Sequence, residues 1–169
     1  MNHDFSFFEQ GIDRISRRLP GMPKDRVLVN RLFFFVFKAL DDRYNQRLAD
    51  YGLNSTALLA LAMLYGSEEA RLNPCDLSDA LISSRTNVTR LADELVGAGW
   101  VERRPSTEDR RRVELSLTAA GRALVERALP AVWNLVLAQW ADFSETEIAE
   151  FDRLLRKLLV GLQQAGASP

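Results

Sequence analysis

From Lys24 to Tyr51 the chain contains neither proline nor glycine, and Gly52 closes the stretch. Such an unbroken run predicts one long helix over about residues 25–50. Its middle, Leu32-Phe33-Phe34-Phe35-Val36-Phe37, is apolar nearly all round, which calls for burial on more than one side. Propensity alone would allow a strand there, but the long unbroken flanks favour helix. Ahead of it, Pro20, Gly21 and Pro23 punctuate an N-terminal arm. A second helix follows, capped by Asn54 or Ser55, with Leu58, Leu61, Ala62 and Tyr65 on one face.

The pattern changes over residues 73–118. Pro74 suits the first turn of a short helix through about Leu81. Ser83 and Ser84 interrupt it and can cap a further helix to about Val96. In that helix Val88, Leu91, Ala92 and Leu95 follow the i, i+3, i+4, i+7 spacing of a buried face. Gly97 and Gly99 stop it. Next, Trp100-Val101-Glu102-Arg103 and Val113-Glu114-Leu115-Ser116-Leu117 alternate as strands do, around a turn-forming Pro105-Ser106-Thr107-Glu108-Asp109. Helix, turn, helix and hairpin make a winged helix-turn-helix.

Thr118 can cap a helix through about Asp142, with a kink expected at Pro130. Ser144-Glu145-Thr146-Glu147 matches a capping box for the last helix. There Ile148, Phe151, Leu155, Leu158 and Leu162 form an apolar seam flanked by Leu154 and Leu159. With the long apolar first helix, this is more hydrophobic face than a small domain buries alone, so a homodimer is expected. The fold class is mainly α with a small β-hairpin wing. Residues 1–24 form the arm, 25–53 and 119–165 a helical dimerisation region, and 54–118 the winged lobe.

Composition fits this reading and narrows it. Of 169 residues, 47% are hydrophobic and 27% charged, enough apolar content to build a core. The formal net charge is −1, so an anionic partner must be held by a local patch. One cysteine, Cys75, excludes an internal disulfide or a cysteine-rich metal site, and one histidine, His3, leaves no histidine triad. No cofactor or metal and no enzymatic chemistry are expected. The start lacks a signal pattern, and the longest apolar run falls far short of the ~20 residues of a membrane helix. A soluble, cytoplasmic protein without a membrane partner is expected.

Candidate chemistry concentrates on the helix beginning at Ser84 and on the hairpin. Arg85, Thr86, Asn87, Thr89, Arg90 and Asp93 lie off its apolar face. Short hydroxyls can approach phosphates, asparagine can pair with adenine edges and arginine with guanine. Residues 103–112 hold Arg103, Arg104, Arg110, Arg111 and Arg112 against Glu108 and Asp109, a net of +3 on a protruding loop. Such arginines suit phosphates and a narrow minor groove.

Residues 73–122, with Ser84-Arg85-Thr86-Asn87-Val88-Thr89-Arg90-Leu91, Gly99-Trp100-Val101-Glu102-Arg103-Arg104, Asp109-Arg110-Arg111 and Leu117-Thr118-Ala119-Ala120-Gly121, resemble the MarR family of bacterial transcriptional regulators. Within it the chain is most similar to repressors of multidrug-efflux operons, the EmrR type. The resemblance implies a homodimeric repressor on a pseudo-palindromic operator, released by a small phenolic or aromatic acid. It places Ser84, Arg85, Thr86, Asn87, Thr89 and Arg90 at major-groove positions. Asp109 would brace the wing, and Arg110 or Arg111 would enter the minor groove. Arg104 joins the wing's positive cluster. The implied effector pocket lies among segments that carry Arg26, Arg31, Phe34, Tyr65, Trp133 and Trp140. Efflux, aromatic-acid catabolism and surface-polysaccharide genes are all compatible targets. A winged-helix adaptor for protein partners and a redox-responsive regulator using Cys75 are the alternatives.

Overall fold

A computed structural model describes residues 4–67, 70–81, 84–105 and 113–166. The helices are α1 (Ser6–Arg18), α2 (Lys24–Leu48), α3 (Ser55–Gly66), α4 (Pro74–Ala80), α5 (Arg85–Gly97), α6 (Ala119–Gln139) and α7 (Glu145–Gly166). The strands are β1 (Arg71–Leu72), β2 (Val101–Pro105) and β3 (Val113–Leu117). The chain forms two compact units, Met1–Val132 and Trp133–Pro169. Among the described residues no helix is long and apolar enough to cross a membrane.

Three details differ from the expectations. The arm holds a helix, α1, and Phe5 at its N-cap recurs with Phe8 and Ile12 at helical spacing. The Phe5 and Phe8 ring centroids lie 5.3 and 5.7 Å from that of Phe35 on α2, Ile12 is buried, and Lys24 Nζ donates to Asp13 Oδ1 at 2.7 Å. Pro20, Gly21 and Pro23 thus separate two helices. The wing is a three-stranded sheet in the order β1-β3-β2, not a hairpin alone. Strand β1 pairs Arg71 with Ser116 and Leu72 with Leu115, while β2 runs antiparallel to β3 from Val101↔Leu117 to Pro105↔Val113. Two residues are too few for alternation to register in a sequence. Helix α6 continues through Pro130 and ends three residues short of the expected Asp142.

The core of the first unit gathers around α3, where Leu61 and Leu64 are fully buried beside Leu48, Leu77, Val88, Leu95, Val101, Leu115 and Val125. The expected caps begin α3 and α7. Asn54 Oδ1 accepts from the Ala57 N–H at 2.8 Å, and the α3 start is held to α2 by Ser55 Oγ donating to Asp41 at 2.6 Å. In the second unit, the Ser144 hydroxyl accepts from the Glu147 N–H at 3.3 Å while the Glu147 carboxylate accepts from the Ser144 N–H at 2.9 Å, a reciprocal capping box. The Ser144 N–H, and after it the Ser144 hydroxyl at 2.8 Å, donate to this carboxylate and hold the Glu147 carboxyl below its usual range.

Helix α5 ends in a Schellman motif: Gly99, at φ +74°, donates to the Val96 carbonyl at 2.9 Å, and Trp100 donates to Leu95 at 3.1 Å. The chain then turns into β2. At the start of α6, the Thr118 hydroxyl donates to the Gly99 carbonyl at 2.8 Å and accepts from the Gly121 N–H at 3.0 Å. A Cβ at position 121 would lie 2.0 Å from the Trp100 carbonyl oxygen, so only glycine allows this approach. Gly121→Ala therefore forces backbone to move, and overpacking of this kind costs about 1–3 kcal/mol or more. Gly99→Ala should cost about 1–2 kcal/mol through its left-handed conformation alone. Urea titration of both variants checks this; a Gly121→Ala protein as stable as wild type would show that α6 does not dock this closely.

Candidate nucleic-acid interface

Helix α5 divides cleanly into two faces. Val88, Leu91, Ala92 and Leu95 are buried, and Ser84, Thr86, Asn87, Thr89 and Arg90 are exposed on the other side. The Ser84 oxygen caps the helix by accepting from the Asn87 N–H at 3.3 Å, so its hydroxyl proton remains free to donate. The exposed row offers two threonine hydroxyls, a carboxamide and a guanidinium. These are donors and acceptors suited to phosphates and base edges. Arg85 begins α5; its side chain, together with Asp109, Arg110 and Arg111, lies outside the described residues.

Helix α4 supplies the first half of the helix-turn-helix and packs on α5. Asn73 caps it, accepting from the Cys75 N–H at 2.9 Å and the Asp76 N–H at 3.0 Å. Cys75 is exposed there. A cleft of about 260 Å³ opens between the start of α3 and α5, with Asn54, Thr56, Asn87, Arg90 and Glu94 at its polar margin and Leu81, Val88 and Leu91 inside it. Asn54 and Thr56 are candidate contacts that reading α5 and the wing alone misses. The capping signal at residues 54–56 could have pointed to them, because a helix N-terminus favours anions.

Three described basic residues of this surface, Arg90, Arg103 and Arg104, are not bare. Arg90 pairs with Glu94 one turn along α5, and Arg104 Nη2 lies 2.5 Å from Glu102 Oε1 on β2. Arg103 Nη2 reaches from β2 to Asp93 Oδ1 of α5 at 2.7 Å, linking wing and helix. No group of three or more potential metal-ligating side chains occurs among the described residues.

The residues expected around an effector are engaged locally. Arg26 is exposed on the first turn of α2. The Arg31 guanidinium lies 4.4 Å above the Phe8 ring of α1, and exposed Phe34 neighbours Phe33 at 6.0 Å between centroids. Tyr65 donates its hydroxyl to Glu126 at 3.1 Å, with Arg122 5.2 Å over its ring. In the second unit Trp133 is exposed, while Trp140 packs edge-on against Phe143 at 5.1 Å and against Phe151 at 5.6 Å. Phe8 and Arg122 were not among the expected lining residues.

A helix-turn-helix whose second helix shows a polar outer face, next to a three-stranded wing, defines a winged-helix protein. The MarR family model matches residues 53–113. The chain is 37% identical over 164 residues to the transcriptional repressor MprA of Escherichia coli K12, covering 97% of this chain and 93% of that protein. It is 30% identical to the E. coli regulator PrsX, covering 88% and 89% of the two chains. Among solved structures, a mutant MarR from E. coli in complex with operator DNA superposes with a TM-score of 0.74 at 27% identity, covering 82% of this chain and 98% of that one. The chain belongs to the MarR family, whose members are DNA-binding transcription factors rather than enzymes.

The Asp93–Arg103 link should behave as an exposed ion pair, with a coupling of about 0.2–1 kcal/mol. A double-mutant cycle of Asp93→Asn and Arg103→Gln in urea unfolding measures it. Zero coupling would mean that the pair is open in solution and does not hold the wing to the helix.

Proposed function

We propose that the protein is a homodimeric repressor that binds a pseudo-palindromic operator and leaves it when a small aromatic carboxylate or phenol binds. The observation that carries the DNA-binding part is the exposed row Thr86, Asn87, Thr89 and Arg90, backed by buried Val88 and Leu95. A stiff, deeply anchored helix with a polar outer face is what major-groove insertion requires. Ser84, Arg85, Thr86, Asn87, Thr89 and Arg90 take the major groove in this reading. Arg104 and the wing residues Asp109, Arg110 and Arg111 serve the adjoining backbone and minor groove. A DNA partner implies a cytoplasmic setting.

Dimerisation is supported by unpartnered apolar faces in each unit. On α2, Phe34 is 56% and Phe37 61% exposed; on α7, Leu158 is 51% and Leu162 62% exposed. Contiguous apolar surface of this kind marks association in a protein that stays in solution. The helices α2, α6 and α7 form the dimerisation region, and residues 54–118 the DNA-binding lobe. The pair must hold its two α5 helices roughly 34 Å apart to enter successive major grooves.

The effector reading draws on Arg26, Arg31, Phe34, Tyr65, Trp133 and Trp140. Arg31 already stacks on a phenyl ring, and the same chemistry would hold a planar aromatic anion. A ligand that prefers the spacing unable to bind DNA by ~100-fold shifts the equilibrium by about 2.7 kcal/mol per site.

Three measurements test these parts separately. Leu155→Asp buries an unpaired carboxylate in the proposed seam, and should give monomer or aggregate in sedimentation and lose operator binding. A wild-type dimer from that variant would remove α7 from the interface. Asn87→Ala should cost ~1–3 kcal/mol and relax preference at one position per half-site in a selection from random duplexes. An unchanged selected sequence would mean that Asn87 touches no base. For the switch, salicylate titrated calorimetrically with and without a selected operator duplex should bind more weakly when DNA is present, by the factor through which it weakens DNA binding. Equal affinity across a panel of aromatic acids and phenols would leave a regulator without an aromatic-acid switch.

A further inference from the structure

Every arginine side chain described on α5 and β2 stands beside a carboxylate: Arg90 with Glu94, Arg103 with Asp93 and Arg104 with Glu102. All three pairs are solvent-exposed, so each is weak and can be given up when a better anion arrives. Arg90–Glu94 is weaker still by its order, since a cation preceding an anion at i, i+4 is the less favourable arrangement along a helix. Asp93 differs from the other two because its pair connects two elements. Glu94 and Glu102 each pair with an arginine of their own element, so neither pair ties two elements together.

We propose that Glu94 and Glu102 are specificity-determining residues that keep Arg90 and Arg104 occupied in encounters with arbitrary DNA and release them only in the close complex with operator. The proposal rests on the reading of α5 and the wing as the DNA interface. Non-specific binding draws on phosphate attraction alone. In a loose complex the pairs persist, the two arginines contribute nothing, and the carboxylates repel the backbone. In the operator complex, base-edge contacts bring α5 close enough for phosphate or base acceptors to replace the carboxylates. The carboxylates therefore weaken the wrong complex more than the right one, which is specificity by selective penalty.

The asymmetry makes the idea testable on DNA of any sequence. Glu94→Gln and Glu102→Gln preserve shape and remove charge, and Gln is as good a helix former as Glu. Each substitution should raise affinity for a random-sequence duplex about 3- to 10-fold and steepen its log–log salt slope by about 0.9, one further phosphate contact. Affinity for a duplex recovered by selection should rise by about twofold or less, since its arginines are already engaged, so the ratio of selected to random binding falls. The double variant Glu102→Gln with Arg104→Gln should return the random-duplex slope to the wild-type value, because the gain runs through the freed arginine. A wild-type slope in both single variants, or equal gains on both duplexes, overturns the proposal while leaving the interface reading intact. Separately, if Arg90→Gln and Arg104→Gln leave binding of the selected duplex unchanged, the interface reading itself fails for these residues and the proposal falls with it.

Discussion

The Trp100 backbone joins three elements whose relative placement the proposed DNA interface requires. Its N–H ends α5 by donating to the Leu95 carbonyl at 3.1 Å, and its own carbonyl accepts from the Thr118 N–H at 3.1 Å. The same carbonyl oxygen lies so close to residue 121 that no side chain fits there. The end of α5, the start of β2 and the start of α6 therefore share one junction. The wing and α5 leave it in fixed directions, and Asp93–Arg103 ties them together again further out. A shift of α6 against Trp100 would strain this junction, while α5 and the wing also reach the core directly through Val88, Leu95, Val101 and Leu115.

Most of this architecture was legible because the signals agree at several levels. The α5 boundaries follow from a serine cap, an apolar face at 3.6 spacing and glycines at the end, and all three are realised at Ser84, at Val88 to Leu95 and at Gly99. The α7 start was readable for a similar reason, since a capping box needs only two side chains at fixed spacing. Helix α1 was harder to read. Its evident punctuation comes after it, and the partners of Phe5 and Phe8 lie on α2, so its apolar face looks unemployed until Phe35 is in place. Strand β1 escapes for a different reason: two residues hold their geometry only through pairing with Ser116 and Leu115, some forty residues away.

The candidate site shows the same division. Exposure on α5 could be inferred from helical periodicity, and the described residues Thr86, Asn87, Thr89 and Arg90 are where periodicity puts them. Ion pairing could be inferred only in part. Arg90–Glu94 follows from i, i+4 spacing, but Arg103–Asp93 depends on how a strand returns past a helix. The cleft at Asn54 and Thr56 likewise exists only because α3 begins beside α5. Arg31 meets Phe8 through α1, the element the sequence pattern concealed, so the aromatic partner of that guanidinium was concealed with it.

Charge balance connects these local facts to recognition. A chain of net charge −1 has little long-range attraction for DNA, and beyond about a Debye length of ~8–10 Å exposed charges are screened in any case. Affinity must then come from contacts made at close range, where shape and hydrogen bonding decide the outcome before total charge does. In the proposed reading, pairing Arg90 and Arg104 with carboxylates extends that logic to the surface itself, since a paired guanidinium projects only a weak dipole toward a distant phosphate. The deep anchoring of α5 by Val88, Leu91 and Leu95 is the mechanical counterpart. In the proposed reading, a helix anchored in this way meets the groove with its polar row already aligned, and a duplex matching that alignment would bring phosphates near enough to open the pairs.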